Sequence, residues 1–329
     1  MGEFDLIRQF FQRPVRRAAL GVGDDCALLA PAPGMQLAVS SDMLVDGRHF
    51  FADVDPAALG HKALAVNLSD LAACGARPLA FTLALALPRA DPAWLQAFAG
   101  GLLALADAHG CELVGGDTTA GPLNICITVF GEVPPGRALL RSGAQVGDEV
   151  WVSGTLGDAR LALEALRGRA RLPAAALAAA RQRLERPTPR VALGQALQGV
   201  ATSAIDVSDG LLGDLGHILA ASRVGARLDV SAAIELIAIC AVGSSAGGHF
   251  DLEIDLETRR QCALAGGDDY ELAFTAPAGQ AAEVLAAARQ AGTPVTRIGR
   301  IEAEPGLRLV DGAGQALPVR PYASFDHFA

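Results

Sequence analysis

Five short acidic stretches follow apolar runs along this chain: Gly23-Asp24-Asp25, Ser40-Ser41-Asp42, Gly115-Gly116-Asp117, Asp206-Val207-Ser208-Asp209-Gly210 and Gly266-Gly267-Asp268-Asp269. Carboxylates are the hard oxygen ligands that Mg2+ takes beside substrate phosphates, and glycine or serine lets backbone and ligand approach closely. A single Gly-Asp is an ordinary turn signal. Five such loops, with Asp70 added, point to metal-assisted phosphoryl transfer. Asp70 carries much of the weight, because an ionised carboxylate among the apolar residues of a helix is costly unless a cation or donor satisfies it. Asp206, between Ile205 and Val207 in an expected buried strand, is a similar case.

Each of these residues also has a plainer role. Any one Asp can serve as a turn residue or helix cap. Ser208-Asp209-Gly210 sits where a helix should begin, so it is read both as an N-cap and as a helix-terminal anion site for a nucleotide phosphate. Arg141 follows the expected linker and is either a surface ion pair or a clamp on a transferring phosphoryl group. His49 and His327 read as polar contacts rather than metal ligands. The Gly266 to Glu271 loop is either a turn before a strand or a set of three carboxylates for a cationic substrate.

The elements that must position these residues follow from periodicity. Residues 37–41 read as a strand running into Asp42. Over 56–73 the period is helical: Leu64, Leu68 and Leu71 form one stripe, and Asn67 and Asp70 share a neighbouring face. Strands are expected at 79–87, 111–114, 124–133, 149–153, 203–207, 272–275 and 295–301. Helices are expected from Pro92 to Gly110, within 160–185, near 191–198 and near 280–290. Strands alternate with helices in both halves, an α/β or α+β pattern. The Pro134-Pro135-Gly136 break sets domains at 1–136 and 137–329.

With 329 residues, the chain is long enough for two cores. Its net charge of −9 argues against a nucleic-acid partner, which calls for a basic surface. Lys62 is the only lysine and follows His61 in the helical stretch, so a Walker loop is excluded. The six cysteines show no C-x-x-C spacing and read as small apolar residues of a cytoplasmic protein. The charged N-terminus does not read as a signal peptide, and no apolar run is long enough to span a membrane.

The motifs resemble one family. Gly21 to Ala27 (GVGDDCA), Ser40 to Phe50 (SSDMLVDGRHF), Lys62 to Ala73 (KALAVNLSDLAA), Gly115 to Thr119, Ile205 to Leu211, Gly266 to Leu272 and the Phe325-Asp326-His327-Phe328 end are similar to the thiamine-monophosphate kinases, in order and over nearly the whole chain. That family lies in the ATP-binding superfamily of aminoimidazole ribonucleotide synthetase. The resemblance implies two α/β domains, and a homodimer whose N-terminal sheets join into a barrel. It also implies phosphorylation of thiamine monophosphate by ATP, giving thiamine diphosphate. By motif position, Asp25, Ser40, Ser41, Asp42, Asp70, Asp117 and Asp206 would be Mg2+ ligands, and Asp209 would hold a further Mg2+. Gly116, Asp117, Arg141 and Ser208 would contact ATP, with Asp42, Asp117 and Arg141 as the catalytic set. His49, Asp268 and Phe325 would contact the thiamine substrate.

Ser41 stands where threonine is common in the family, Asp268 where glutamate is, and Phe325 where tyrosine or tryptophan is. The chemistry agrees with the resemblance. The acceptor phosphate is already ionised near neutral pH, so the barrier is charge repulsion between two anions, which metal ions relieve. Direct transfer without a phosphoenzyme is expected. Selenophosphate synthetase, of the same superfamily, would need an N-terminal reactive cysteine or selenocysteine with a lysine, and residues 1–20 hold neither. A non-catalytic acidic protein that binds Mg2+ or nucleotide is the alternative of a different class.

Overall fold

A computed structural model describes residues 2–241, 254–319 and 322. The chain divides into two compact units, Met1–Leu71 with Ala76–Ala138, and Ala72–Gly75 with Leu139–Ala329. Each carries its own sheet, so the architecture is two-domain α/β.

The first unit opens with α1 (Glu3–Leu6), which runs into a π turn over Ile7–Phe11, followed by β1 (Gln36–Val45), α2 (Pro56–Ala73), β2 (Arg77–Leu87), α3 (Pro92–His109), β3 (Glu112–Ala120) and β4 (Asn124–Val133). The sheet order is β1-β4-β2-β3. β4 pairs antiparallel with β1 and β2, whereas β2 and β3 are parallel and need the α3 crossover between them. α3 is bounded as its sequence suggests: Asp91 accepts the N–H groups of Ala93 and Trp94, Pro92 occupies the first turn, and Gly110 takes the left-handed conformation. α2 and α3 touch through their glycines. A Cβ on Gly101 would lie 1.8 Å from the Ala57 carbonyl oxygen, and one on Gly60 2.1 Å from that of Phe98. Alternation along the strands makes the sheet two-sided. Leu44, Ile125, Ile127, Leu83 and Leu85 are buried, whereas Leu37, Val39 and Met43 on β1 stand 46%, 56% and 52% exposed.

The second unit comprises β5 (Glu149–Ser153), α4 (Asp158–Leu166), α5 (Ala174–Glu185), α6 (Val191–Ala196), β6 (Ser203–Val207), α7 (Leu211–Ser222), β7 (Gly225–Asp229), α8 (Val230–Ile234), α9 (Ala238–Ala241), α10 (Leu256–Ala265), β8 (Glu271–Ala276), α11 (Ala281–Ala291), β9 (Val295–Glu302), β10 (Gly306–Val310) and β11 (Ala316–Leu317). Its sheet runs β11-β10-β7-β9-β5-β8-β6. Val150, Val152, Ile205, Val207, Leu211, Leu215 and Ile218 join one buried cluster, which ties β5 and β6 to α7. Among the described residues no helix is long and apolar enough to cross a membrane.

Two expectations change. Ser40-Ser41-Asp42 and Gly115-Gly116-Asp117 are not loops that end strands; they lie inside β1 and β3. Both are edge strands of the sheet, where small and polar residues are tolerated because only one side must pair. The cysteines are mixed rather than mostly buried: Cys111 and Cys262 are buried, Cys26 is exposed, and none of the six is in a disulfide.

Candidate functional site

A cleft of about 590 Å³ opens beside β3 in the first unit. Asp24, Asp25, Gly116 and Asp117 line it, together with Glu3, Phe4 and Ile7 of the N-terminal segment. The structure thus brings Asp25, Gly116 and Asp117 to one cavity from positions far apart in sequence. Gly116 is required there by its backbone. It has φ 142°, and a Cβ would fall 1.8 Å from the Leu83 carbonyl oxygen on the neighbouring strand.

A second group gathers where β1 meets α2. Ser40 Oγ donates to Asp70 Oδ2 at 2.5 Å, and the Asp42 N–H donates to Asn67 Oδ1 at 3.1 Å. Asn67 in turn donates to the Ala63 carbonyl, so its amide orientation is fixed. The Asn67/Asp70 face of α2 therefore lies against β1. Asn67 is a positioning residue that the sequence reading left unassigned, although its spacing of three from Asp70 was the available signal. Ser41 points to the other side of the strand, with its hydroxyl near Thr128 Oγ1 at 3.0 Å and the Ile127 carbonyl at 3.1 Å. Register places Asp42 opposite Ile127, Ile127 opposite Leu83 and Leu83 opposite Gly116. Three strand spacings separate the two edges, about 14 Å, so Asp42 and Asp117 belong to different ends of the sheet. His49 lies in the turn after β1. Its Nδ1 accepts the Val45 N–H at 2.9 Å, which places the proton of the neutral ring on Nε2, and its carbonyl faces the buried Lys62 amine at 3.4 Å.

In the second unit, Asp206 is 7% exposed in β6, opposite Leu272 of β8. Ser208 and Asp209 follow, half-buried. The loop that carries Asp268 is bonded directly to them: Asp268 N–H donates to the Ser208 carbonyl and Tyr270 N–H to the Val207 carbonyl, both at 2.8 Å. Asp206, Ser208, Asp209 and Asp268 are thus neighbours. Arg141 is not part of that group. The Leu140 carbonyl accepts the Ala204 N–H at the start of β6, and the Arg141 carbonyl accepts from Ser222 at the end of α7. Four residues of strand, about 13 Å, separate that position from Ser208. Phe325 and His327 lie outside the described residues.

Three readings of these loops are corrected. First, neither Ser208 nor Asp209 caps α7 with its side chain; the N-cap is Gly210. Second, the N–H groups of Ser208, Asp209 and Gly210 do not form an open anion site, because Asp214 accepts all three. Burial pushes the Asp214 carboxyl up to about 6. Third, the Gly266 to Glu271 loop does not offer three carboxylates to a ligand. Asp269 is 2% exposed and accepts the Gly157 N–H with both oxygens, and burial raises its pKa well above the usual carboxylate range. Glu271 is fully buried against Ser153, Arg183 and Arg190. Asp268 alone stays half-buried, at a left-handed φ of 68°.

Mg2+ typically keeps several waters and takes one or two carboxylates together with substrate phosphates, rather than an all-protein cage. Among the described residues no three His, Cys, Asp or Glu side chains converge as a cage. Asp25 and Asp117 instead line an accessible cleft, and the Ser40-Asp70 pair offers hard oxygens beside Asp42. That donor set fits Mg2+ held jointly with phosphates.

Comparison with known proteins agrees with this architecture. The N-terminal domain of AIR synthase related proteins matches residues 23–133, and the C-terminal domain matches residues 145–312. Thiamine-monophosphate kinase of Salmonella typhimurium is 46% identical over 336 residues, covering 100% of this chain and 98% of its own. The crystal structure of thiamine-monophosphate kinase from Stenotrophomonas maltophilia K279a superposes with a TM-score of 0.81 at 45% identity, over 95% of this chain and 96% of that one. A structure of AaThiL complexed with AMPPCP and TMP gives 0.73 at 30% identity, over 99% and 96%. With both domains matched and nearly half of all positions identical along its length, the chain belongs to the thiamine-monophosphate kinase family.

Proposed function

We propose that this chain transfers the γ-phosphoryl group of ATP to thiamine monophosphate, producing thiamine diphosphate and ADP, by direct in-line displacement. The observation that carries the reading is the cleft beside β3. It joins Asp25, Gly116 and Asp117 in one cavity, in a chain related along its whole length to kinases named for this reaction. When bound, Mg2+ supplies charge neutralisation and orientation for the two phosphate groups. Asp25 and Asp117 would hold it at the cleft, Ser40, Asp42 and Asp70 at the β1–α2 group, and Asp206 and Asp209 in the second unit. Gly116 lets the nucleotide approach the β3 backbone, and the Ser208 hydroxyl and the Arg141 guanidinium contact ATP. With Arg141, Asp42 and Asp117 complete the catalytic set.

His49 and Asp268 are assigned to the thiamine end together with Phe325. Asp268 opposes the cationic thiazolium, and Phe325 stacks on a ring. Residues 1–136 act as the ATP- and Mg2+-binding part and 137–329 complete the substrate sites. A homodimer with a shared barrel is supported by β1, an edge strand whose exposed Leu37, Val39 and Met43 line one side of the sheet, and the proposed location is cytoplasmic.

The test is to incubate the purified protein with ATP, Mg2+ and thiamine monophosphate. Equimolar ADP and thiamine diphosphate are expected. ADP without thiamine diphosphate, or neither product, overturns the assignment, and a trapped phosphorylated side chain overturns the direct transfer.

A further inference from the structure

Three successive backbone N–H groups, of Ser208, Asp209 and Gly210, converge on one atom, Oδ2 of Asp214, at 3.0, 3.1 and 3.1 Å. Successive N–H groups aimed at one point form a concavity that binds anions. Here the anion belongs to the chain itself: Asp214 sits in the first turn of α7 and is 4% exposed. The loop has little freedom to shift. Gly210 holds φ 121°, and a Cβ there would meet the Ala265 backbone at 2.9 Å; one on Gly267 would meet the Ser208 carbonyl oxygen at 2.5 Å. The bonds continue outward. The Ser208 and Val207 carbonyls accept the N–H groups of Asp268 and Tyr270, two non-glycine residues at φ 68° and 51°. Backbone in that region persists only when its surroundings over-determine it.

We propose that Asp214 is the positioning residue of the second unit's site. Its carboxylate fixes the 208–210 loop, and through the Ser208 carbonyl it fixes the strained loop that presents Asp268. Because Asp214 already fills the three N–H groups, an incoming phosphate meets the Ser208 hydroxyl rather than the loop backbone. Nucleotide and thiamine ends are therefore held by one buried carboxylate that touches neither. This rests on the proposed function for the roles of Ser208, Asp209 and Asp268.

The test uses Asp214→Ala and Asp214→Asn in the full-length chain. Amide hydrogen exchange is followed in peptides spanning the 208–210 and 266–270 loops, alongside steady-state kinetics in ATP and thiamine monophosphate. In Asp214→Ala, loss of three charge-assisted bonds should speed exchange of both loops and raise KM for both substrates by about tenfold or more, with kcat moving less. Asp214→Asn retains an acceptor oxygen and should stay within about threefold of wild type in both measurements. Wild-type exchange and wild-type KM values in Asp214→Ala, even with a lower melting temperature, would overturn the proposal. If Asp214→Ala does not fold, Asp214→Asn decides: strongly raised KM values with protected loops would mean that the charge acts on substrate directly. Exchange is read without turnover, so a failed kinase assignment remains distinguishable from a failed anchor.

Discussion

Replacing Glu271 by alanine should loosen the second unit far more than exchanging Asp268, three residues earlier, for asparagine. Glu271 is fully buried and accepts Ser153 Oγ at 2.6 Å, Arg190 Nε and Nη2 at 2.6 and 2.5 Å, and Arg183 Nη2 at 2.8 Å. Gly154, at φ 56°, lies so close that a Cβ would be 2.2 Å from the Glu271 carboxylate. Removing one partner of a buried ion pair costs about 3–5 kcal/mol, because the other charge stays behind. The Arg183 and Arg190 side chains are 20% and 16% exposed, so water reaches them in part and the lower end of that range, about 3 kcal/mol, applies. Dividing by a urea dependence of about 2 kcal/mol per molar gives a midpoint lowered by about 1.5 M. The chain has two tryptophans, Trp94 in the first unit and Trp151 on β5. In a Trp94→Phe background, Trp151 fluorescence therefore reports the unit that holds Glu271. A midpoint within about 0.3 M of the parent would refute the reasoning, since it would mean the two arginines find equivalent partners elsewhere. Asp268→Asn, which tolerates the same left-handed backbone, should lower the midpoint far less than Glu271→Ala and instead raise KM for thiamine monophosphate.

Further outcomes are expected. Asp117→Ala and Asp25→Ala should reduce kcat/KM at saturating Mg2+ by about a hundredfold or more with little change in unfolding, because both side chains are exposed at the cleft; near-parental turnover would remove them from the metal set. Gly116→Ala should destabilise the first unit by about 2–4 kcal/mol, combining a positive φ with a clash against Leu83, and a Trp94-reported denaturation curve matching the parent would contradict this. Asp269 carries a raised pKa from burial, so the folded state holds its proton more tightly than the unfolded state does. Its contribution to stability is present below the ordinary carboxylate value of 3.8 and is lost as pH rises towards its raised folded-state value. Asp269→Asn should accordingly gain stability relative to the parent as pH increases, and a difference that stays flat across pH would show that the buried carboxylate is not the cause.

Much of the fold was legible because the apolar periods are clean. α2 was expected over 56–73 and spans Pro56–Ala73, and β4, β5 and β6 match their expected limits. The short strands β7, β10 and β11 were missed, since Gly225, Arg227 and Arg308 dilute any alternation and only pairing with neighbours makes them strands. At the site, the acidic motifs identified candidates but not their directions. Asp206 and Asp268 are brought near each other by backbone bonds from the loop before β8 to Val207 and Ser208 at the end of β6, and no spacing in the sequence encodes that. Asp214, Asp269 and Glu271 look like the other acids in composition. Their difference lies in burial and partners, which only tertiary structure supplies.

Lys62, the chain's only lysine, is 3% exposed within α2. Acylating reagents, amine-directed cross-linkers and pyridoxal-type aldehydes consequently find no side-chain target on the native surface, and the positive side-chain charge available to them is guanidinium, which they do not attack. The same burial turns Lys62 into a built-in reporter. Its acylation becomes possible only when α2 opens, so the rate of labelling at one position, read by mass, would time the breathing of the helix that carries Asn67 and Asp70.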